Sequence, residues 1–473
     1  MRPWSGVPEA SPRYVGDLMT PLLRSILPYK AATLVLALYT LPSQAQDVRI
    51  RLLDRQAPTS ITLSAYEGVV RLHAGEYTDA LLEMETGQTV LISPYGPSNE
   101  LRISSDALTL YAESLRAEPV DGASFGIGIG EDEAGQAPRR YAGNLLISPD
   151  QTDQTLELIN AVPLEAYVAS VVSTEYGLDD LEGSKAMAVL ARTYVLNAPT
   201  KYGPDYDLVD DTRSQVYRGE DVILPLALEA ARRTEGEVLT YRGKPIQAVY
   251  HSSSGGHTAD NESVWSSSPV PYLRGKSDPY GKQSPHAEWV TRVPRPKLLA
   301  ELGKKFGGEV VGFLLDQRSP DGRIASVSLL MQNGQRRSVT GNEFRLVVIW
   351  HFGPRSLRSM RFDAERQGNE YIFTGQGYGH GVGLSQWGAH DMAKRGMSYK
   401  EILDFYYTGT TLSRLEDTDA ATRIPSGVIA GQAPADTAVE ESSSPPVETV
   451  SERENPEAPA NPRPQPQKRR IGW

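Results

Sequence analysis

Apolar and polar residues alternate along residues 47 to about 140 in short runs: DVRIRLLD, SITLSAY, GQTVLIS and ALTLYAE. Period-two alternation broken by turn residues predicts half-buried strands. DGASFGIGIGEDEAGQAP, residues 121–138, reads as a loop, and GNLLISP followed by TLELINAV reads as a hairpin. At Pro163 the period changes. Leu164, Tyr167, Val168, Val171 and Val172 fall on one helical face, Pro163 suits a helix start, and Gly177 is a natural stop. EGSKAMAVLARTYVLNAP predicts a second helix, with Ala186, Val189, Leu190 and Tyr194 on one face. GEVLTYRGKPIQAVYHSSSGG predicts two strands joined at RGKP and ending in a polar, glycine-rich loop. Residues 290–350 are mixed: KLLAELGKKF is helical, and IASVSLLMQ and QRRSVTG are strands. Leu384 onward is helical with Gly396 as its stop, and SYKEILDFYYTG is a helix opened by a capping box, Ser398 with Glu401. The fold class is α+β, a β-rich N-terminal region packed with a mixed helix and strand core.

Both ends read differently. From Met19 to Gln46 there is no Asp or Glu; Arg24 and Lys30 precede the apolar run 31–41, and Ser43 and Ala45 are placed like small residues before a cleavage site. Residues 1–46 are thus expected to be a secretory signal peptide, with translation starting at Met1 or Met19, and the protein to be exported. The run is too short for a membrane span; the competing readings are a buried strand or an uncleaved anchor. Residues 414–473 are rich in Pro, Glu, Ser and Ala, and are expected to be a disordered tail.

The net charge of −11 argues against a nucleic-acid binder. The absence of cysteine removes disulfides, thiolate metal ligands and thiol catalysis. In VVSTEYGLDD, Glu175 lies three after Val172, four after Val171 and seven after Val168, so an α-helix places it on the buried stripe, in the last turn. Burial and the helix dipole both disfavour its charge, so its pKa is expected to rise, as a general acid on a glycosidic oxygen requires. The competing reading is an internal ion pair with Arg192. Asp179, Asp180 and Glu182 look like loop and helix-start residues.

In YHSSSGGHTADNESVW, His251 and His257 bracket three serines and two glycines. Polar donors on such a loop suit a sugar or a carboxylate, and two imidazoles six apart could share a metal, although no third ligand is evident. In GQGYGHGVGLSQWGAHDMAKRG the alternating glycines do not fit a nucleotide loop and let the backbone approach a ligand or a neighbouring strand. Trp387 either offers a flat face to a sugar ring or is itself a buried core residue.

The segments VPLEAYVASVVSTEYG…SKAMAVLARTYVL, DDTRSQVYRG, YHSSSGGHT…SVW and GQGYGHGVGLSQWGAHDMAKRGMSYKEILDFYYTGTTL, spread over residues 157–412, together resemble the SpoIID/LytB family of stage II sporulation protein D and the amidase enhancers. The resemblance implies bacterial cell-wall remodelling. Its sporulation members are similar to lytic transglycosylases acting on glycan strands stripped of stem peptides, and the family's catalytic glutamate, at the end of the first motif helix, corresponds to Glu175. From motif membership, Arg192, His251, Ser252, Ser254, His380 and Gln386 are expected to hold the sugars. Some relatives hold zinc through His and Cys; His251 and His257 fill two such positions, but the cysteines are missing, so no metal is expected. Other relatives enhance an amidase, which makes a cell-wall amidase the expected partner beside the glycan and a non-catalytic enhancer the alternative function.

Overall fold

The computed structural model describes residues 47–418, apart from 97–98, 130–137, 151–153, 198–201 and 266. The expected signal peptide and residues 419–473 of the expected tail lie outside the described residues.

The first strand, Asp47–Leu52, sets the architecture. It pairs antiparallel with Leu156–Pro163, and on its other edge parallel with Leu208–Val209. The N-terminal strands and the helical motifs therefore share one seven-stranded sheet, which crosses the boundaries at 140 and 157 drawn from sequence. A six-stranded sheet holds the remaining described N-terminal strands. Its members include Ser124–Ile129, within the stretch expected to be a loop. Gly126 is needed there, because a Cβ would sit 2.5 Å from the Tyr66 ring. The other expected strands of residues 47–113, and the 144–163 hairpin, form as predicted.

Helices Leu164–Val171 and Leu181–Asn197 bury their apolar faces against this sheet system. Helices Gln386–Lys394 and Tyr399–Tyr406 complete the same core, and Ser398 and Glu401 form the expected capping box. Strand Thr411–Arg414 pairs with Glu237–Tyr241, and Leu415 packs on the core. Ordered structure thus passes the tail boundary expected at 414.

Residues 289–375 have a second core of their own, built on Leu298, Leu302, Val327, Phe344 and Phe373. Two three-stranded sheets and helices Arg295–Phe306 and Gly341–Phe352 enclose it. The latter helix, opened by a Thr340–Glu343 capping box, was absent from the sequence reading. The insert lies between the two glycine-rich motifs, which meet each other at its base: Tyr250–His251 pairs with Leu384–Ser385. Among the described residues no helix is long and apolar enough to cross a membrane.

Candidate active site

The helix bearing Glu175 does not finish as an α-helix. Val172–Tyr176 is a π-helical turn, closed by Gly177 N–H donating to the Val172 carbonyl at 3.1 Å, with Gly177 at φ +57°. The wider turn changes which face Glu175 occupies, so the α-helical offsets counted from sequence apply only as far as Val171. Glu175 is half-buried rather than part of the core. Local side chains support the distortion: Ser173 and Thr174 donate to the carbonyls of Ala169 and Ser170 at 2.8 and 3.0 Å. Such back-bonding bends a helix.

The polar run at this helix end grips residues 216–224, which begin inside the motif DDTRSQVYRG. Thr174 donates to the Val216 carbonyl, Ser170 Oγ accepts from Arg218 N–H at 3.3 Å, and Ser173 Oγ accepts from Leu224 N–H at 2.9 Å. Glu175 Oε1 accepts from Val216 N–H at 2.7 Å. Among the described residues Oε2 takes no hydrogen bond. Gln386, across the glycine-rich motif, donates its amide to the Glu175 carbonyl at 2.7 Å. That bond satisfies one of the carbonyls that a helix end leaves open.

Gln215, one position before Val216, is buried. It accepts from the Tyr167 hydroxyl at 2.9 Å and donates to the Tyr250 hydroxyl at 3.1 Å. Both phenols are pushed well up, first by burial and also by the Glu175 carboxylate. The same burial raises Glu175 above the usual 4.5, against the opposing pull of Val216 N–H and the Arg218 guanidinium. Desolvation wins because only one strong donor reaches the carboxylate.

The other expected site residues separate into two groups. His380 and Ser252 meet the backbone of Tyr250 and of Trp387, the residue after Gln386. His380 Nε2 meets the Tyr250 carbonyl at 2.8 Å, and its Nδ1 accepts from Val382 N–H at 3.1 Å. Burial, with Arg345 and Arg323 nearby, lowers its pKa to about 4, so the ring is neutral. The Ser252 carbonyl accepts from Trp387 N–H, and Trp387 is half-buried, stacked edge-on against His390. Ser254 is buried in structural contacts with Gly256 and Ser385. His251 is buried and held neutral, its Nδ1 against the Val382 carbonyl and its Nε2 without a partner among the described residues. His257 Nδ1 lies 2.7 Å from the Thr258 carbonyl. Among the described residues no three His, Cys, Asp or Glu side chains gather as a metal site.

Arg192 departs from both sequence readings. Its fully buried guanidinium holds Glu165 at 2.8 and 2.5 Å and donates to the Glu237 carbonyl at 2.8 Å. It neither pairs with Glu175 nor reaches a surface where a sugar could lie. Asp180 is the helix-start residue expected: it accepts from Gly183 N–H at 2.6 Å, and it also holds Tyr176 and His390 at 2.7 and 2.6 Å.

The alternating glycines serve the protein's own backbone. A Cβ at Gly383, φ +71°, would stand 2.0 Å from the Val249 carbonyl, and one at Gly379, φ +107°, 2.8 Å from His251 Cβ. Sequence reasoning missed Gln215, the Val216 amide and Tyr250. The available signal was the S-x-x-S-T-E run, too polar for a buried helix end unless something docks there.

Comparison with known proteins agrees with these motifs. The family described as Stage II sporulation protein, SpoIID, matches residues 152–241. A stage II sporulation protein D of Bacillus amyloliquefaciens is 31% identical over 275 residues, which is 54% of this chain and 76% of that protein. The chain belongs to the SpoIID/LytB family. Within that family, the chain is also 31% identical over 278 residues to an amidase enhancer of Bacillus subtilis, covering 49% of this chain but 38% of the enhancer. It is 29% identical over 372 residues to an uncharacterized protein of Brachyspira hyodysenteriae, covering 77% of this chain and 92% of that one.

Proposed function

We propose that this SpoIID/LytB protein is a peptidoglycan lytic transglycosylase, working on the cell wall after export, with Glu175 as its acid and base. The observation that carries the reading is the state of one carboxyl: half-buried, with Oε1 fixed by an amide, Oε2 free of hydrogen bonds among the described residues, and its pKa raised by burial. A carboxyl so placed can carry a proton on Oε2 and deliver it.

Protonation of the oxygen that links muramoyl C1 to O4 of N-acetylglucosamine lets the C1–O4 bond break, its electron pair staying on the departing oxygen. An oxocarbenium-like centre develops at C1. The Glu175 carboxylate then takes the proton of the muramoyl 6-hydroxyl, O6 bonds to C1, and a 1,6-anhydro ring closes. No water is consumed and Glu175 ends protonated. The nucleophile belongs to the substrate, so one carboxyl suffices where ordinary glycosidases need two. The Val216 amide orients the carboxyl through both steps, and the Gln386 amide holds the turn that carries it.

The similarity to an amidase enhancer favours a second reading, a non-catalytic protein that binds glycan and recruits an amidase. Peptide-free glycan strands separate the two. Incubation with the protein should yield anhydromuramoyl ends by mass spectrometry, and Glu175→Gln should yield none. Binding without such ends from the unsubstituted protein supports the enhancer reading instead.

A further inference from the structure

The six-stranded sheet has an outer face that plays no part in the Glu175 site. Its strands Thr89–Tyr95, Glu100–Ser104 and Thr109–Ala112 run antiparallel, and successive side chains alternate between the two faces. Ile92, Leu101, Ile103 and Ala112 point inward and are buried in the core. Register then fixes what points outward. Leu91 lies beside Ser104 and Thr109; next along, Ser93 lies beside Arg102 and Tyr111; last, Tyr95 lies beside Glu100. From Leu91 to Tyr95 this strip is about 14 Å long.

One end of the strip opens into a cavity of about 710 Å³, floored by Thr62, Thr89, Leu91 and Ser104. Strand Leu82–Met84 and the 105–108 connection wall it. That volume falls within the range of roughly 300–1,000 Å³ usual for small-ligand sites. The other end is aromatic. The Tyr95 and Tyr111 rings stand 4.8 Å apart across the middle strand, and the two residues are 46% and 48% exposed. Arg102 lies between the two ends, half-buried. Among the described residues its guanidinium makes no ion pair, and its Nε is buried without a hydrogen-bond partner. A buried donor left unmet is a cost to the protein alone.

We propose that this sheet face is a second, non-catalytic binding site for an N-acetylated glycan strand. It extends, and rests on, the reading of the protein as one that works on wall glycan. A pyranose ring has apolar faces and a rim of hydroxyls. The tyrosine pair supplies flat apolar surface with polar tips. The cavity floor supplies hydroxyls that both donate and accept, and Arg102 supplies donors alone, which suit acetamido carbonyl and hydroxyl oxygens. The floor carries no charge, as a neutral sugar backbone requires. An extended peptide would bind differently, by adding a strand to a sheet edge. The edge at this cavity, Leu82–Met84, is three residues long, whereas the floor is the side-chain face of a sheet.

Hydrogen exchange of the full chain, read by mass spectrometry in the Glu175→Gln background to prevent turnover, tests this with peptidoglycan glycan strands as the probe. Saturating strands should slow exchange across residues 89–112 at least threefold. Tyr111→Ala and Arg102→Gln should each abolish that slowing, with melting midpoints unchanged, and leave in place whatever slowing the same strands cause across residues 172–218. If Tyr111→Ala does not fold, Arg102→Gln decides alone. No slowing across 89–112, slowing that survives the substitutions, or equal slowing by an uncharged extended peptide would each overturn the site. Anhydromuramoyl ends from the protein with Glu175 intact are scored separately. Their formation without slowing across 89–112 removes the sheet-face site and leaves the transglycosylase reading intact; their absence alongside slowing that the substitutions abolish does the reverse.

Discussion

Glu175 has one oxygen held by an amide and one that takes no hydrogen bond among the described residues, in surroundings that disfavour its charge. Replacing it with Gln keeps an acceptor for Val216 N–H but removes the proton, and should lower anhydromuramoyl formation by about 100-fold or more, in line with the typical contribution of general acid–base groups. Stability should move the other way. A carboxyl whose folded pKa lies above its unfolded value costs stability once ionised. The unsubstituted protein should therefore fall behind Glu175→Gln as pH rises from the ordinary 4.5 through the raised value, and the gap should stay constant above it. Melting midpoints of the two proteins across that range check the sign. Beside it, Gln215→Leu leaves the Tyr167 and Tyr250 hydroxyls each short of a partner and should cost about 2 kcal/mol in denaturant unfolding.

Among the elements, the helix that delivers Glu175 was legible in sequence from its apolar spacing, its Pro start and its Gly stop. Its π-helical end was not, because the distortion depends on Ser173 and Thr174 bonding backward while the 216–224 segment docks alongside. That docking is a long-range event with no local signature in either segment. Strand Ser124–Ile129 escaped for a related reason: its glycines look like a loop until Tyr66 is placed over Gly126. Arg192 was legible as important and misread in role, since only the fold brings Glu165 and Glu237 to it. It joins the first two motif helices and strand Glu237–Tyr241. Arg192→Met should lose about 3 kcal/mol, the lower end for breaking a buried pair because Glu165 keeps a third of its side chain in water. Glycan affinity at saturating folded protein should not change. Gly383→Ala should be worse tolerated than most surface changes, by about 2 kcal/mol or more, because positive φ and the Val249 carbonyl both oppose a Cβ.

Across the whole molecule, the α+β class and the ordered motifs could be read from the chain, whereas the pairing of strands across it could not. The sheet built on Asp47–Leu52 draws strands from both sides of the boundary expected near 140, because strand pairing ignores sequence distance. The insert announced itself only as mixed structure, although it encloses a separate core around Phe344. Phe344→Ala should cost about 3–4 kcal/mol. Hydrogen exchange should show protection lost first across residues 289–375, with residues 47–66 and 156–197 still protected. The proposed chemistry rests on one side chain, Glu175, whose pKa burial raises. Carbon-13 titration of the glutamate carboxyls, with Glu175 assigned by its absence in Glu175→Gln, tests this directly. The Glu175 midpoint should lie clearly above the ordinary 4.5. A midpoint at or below that value would contradict the proposed chemistry.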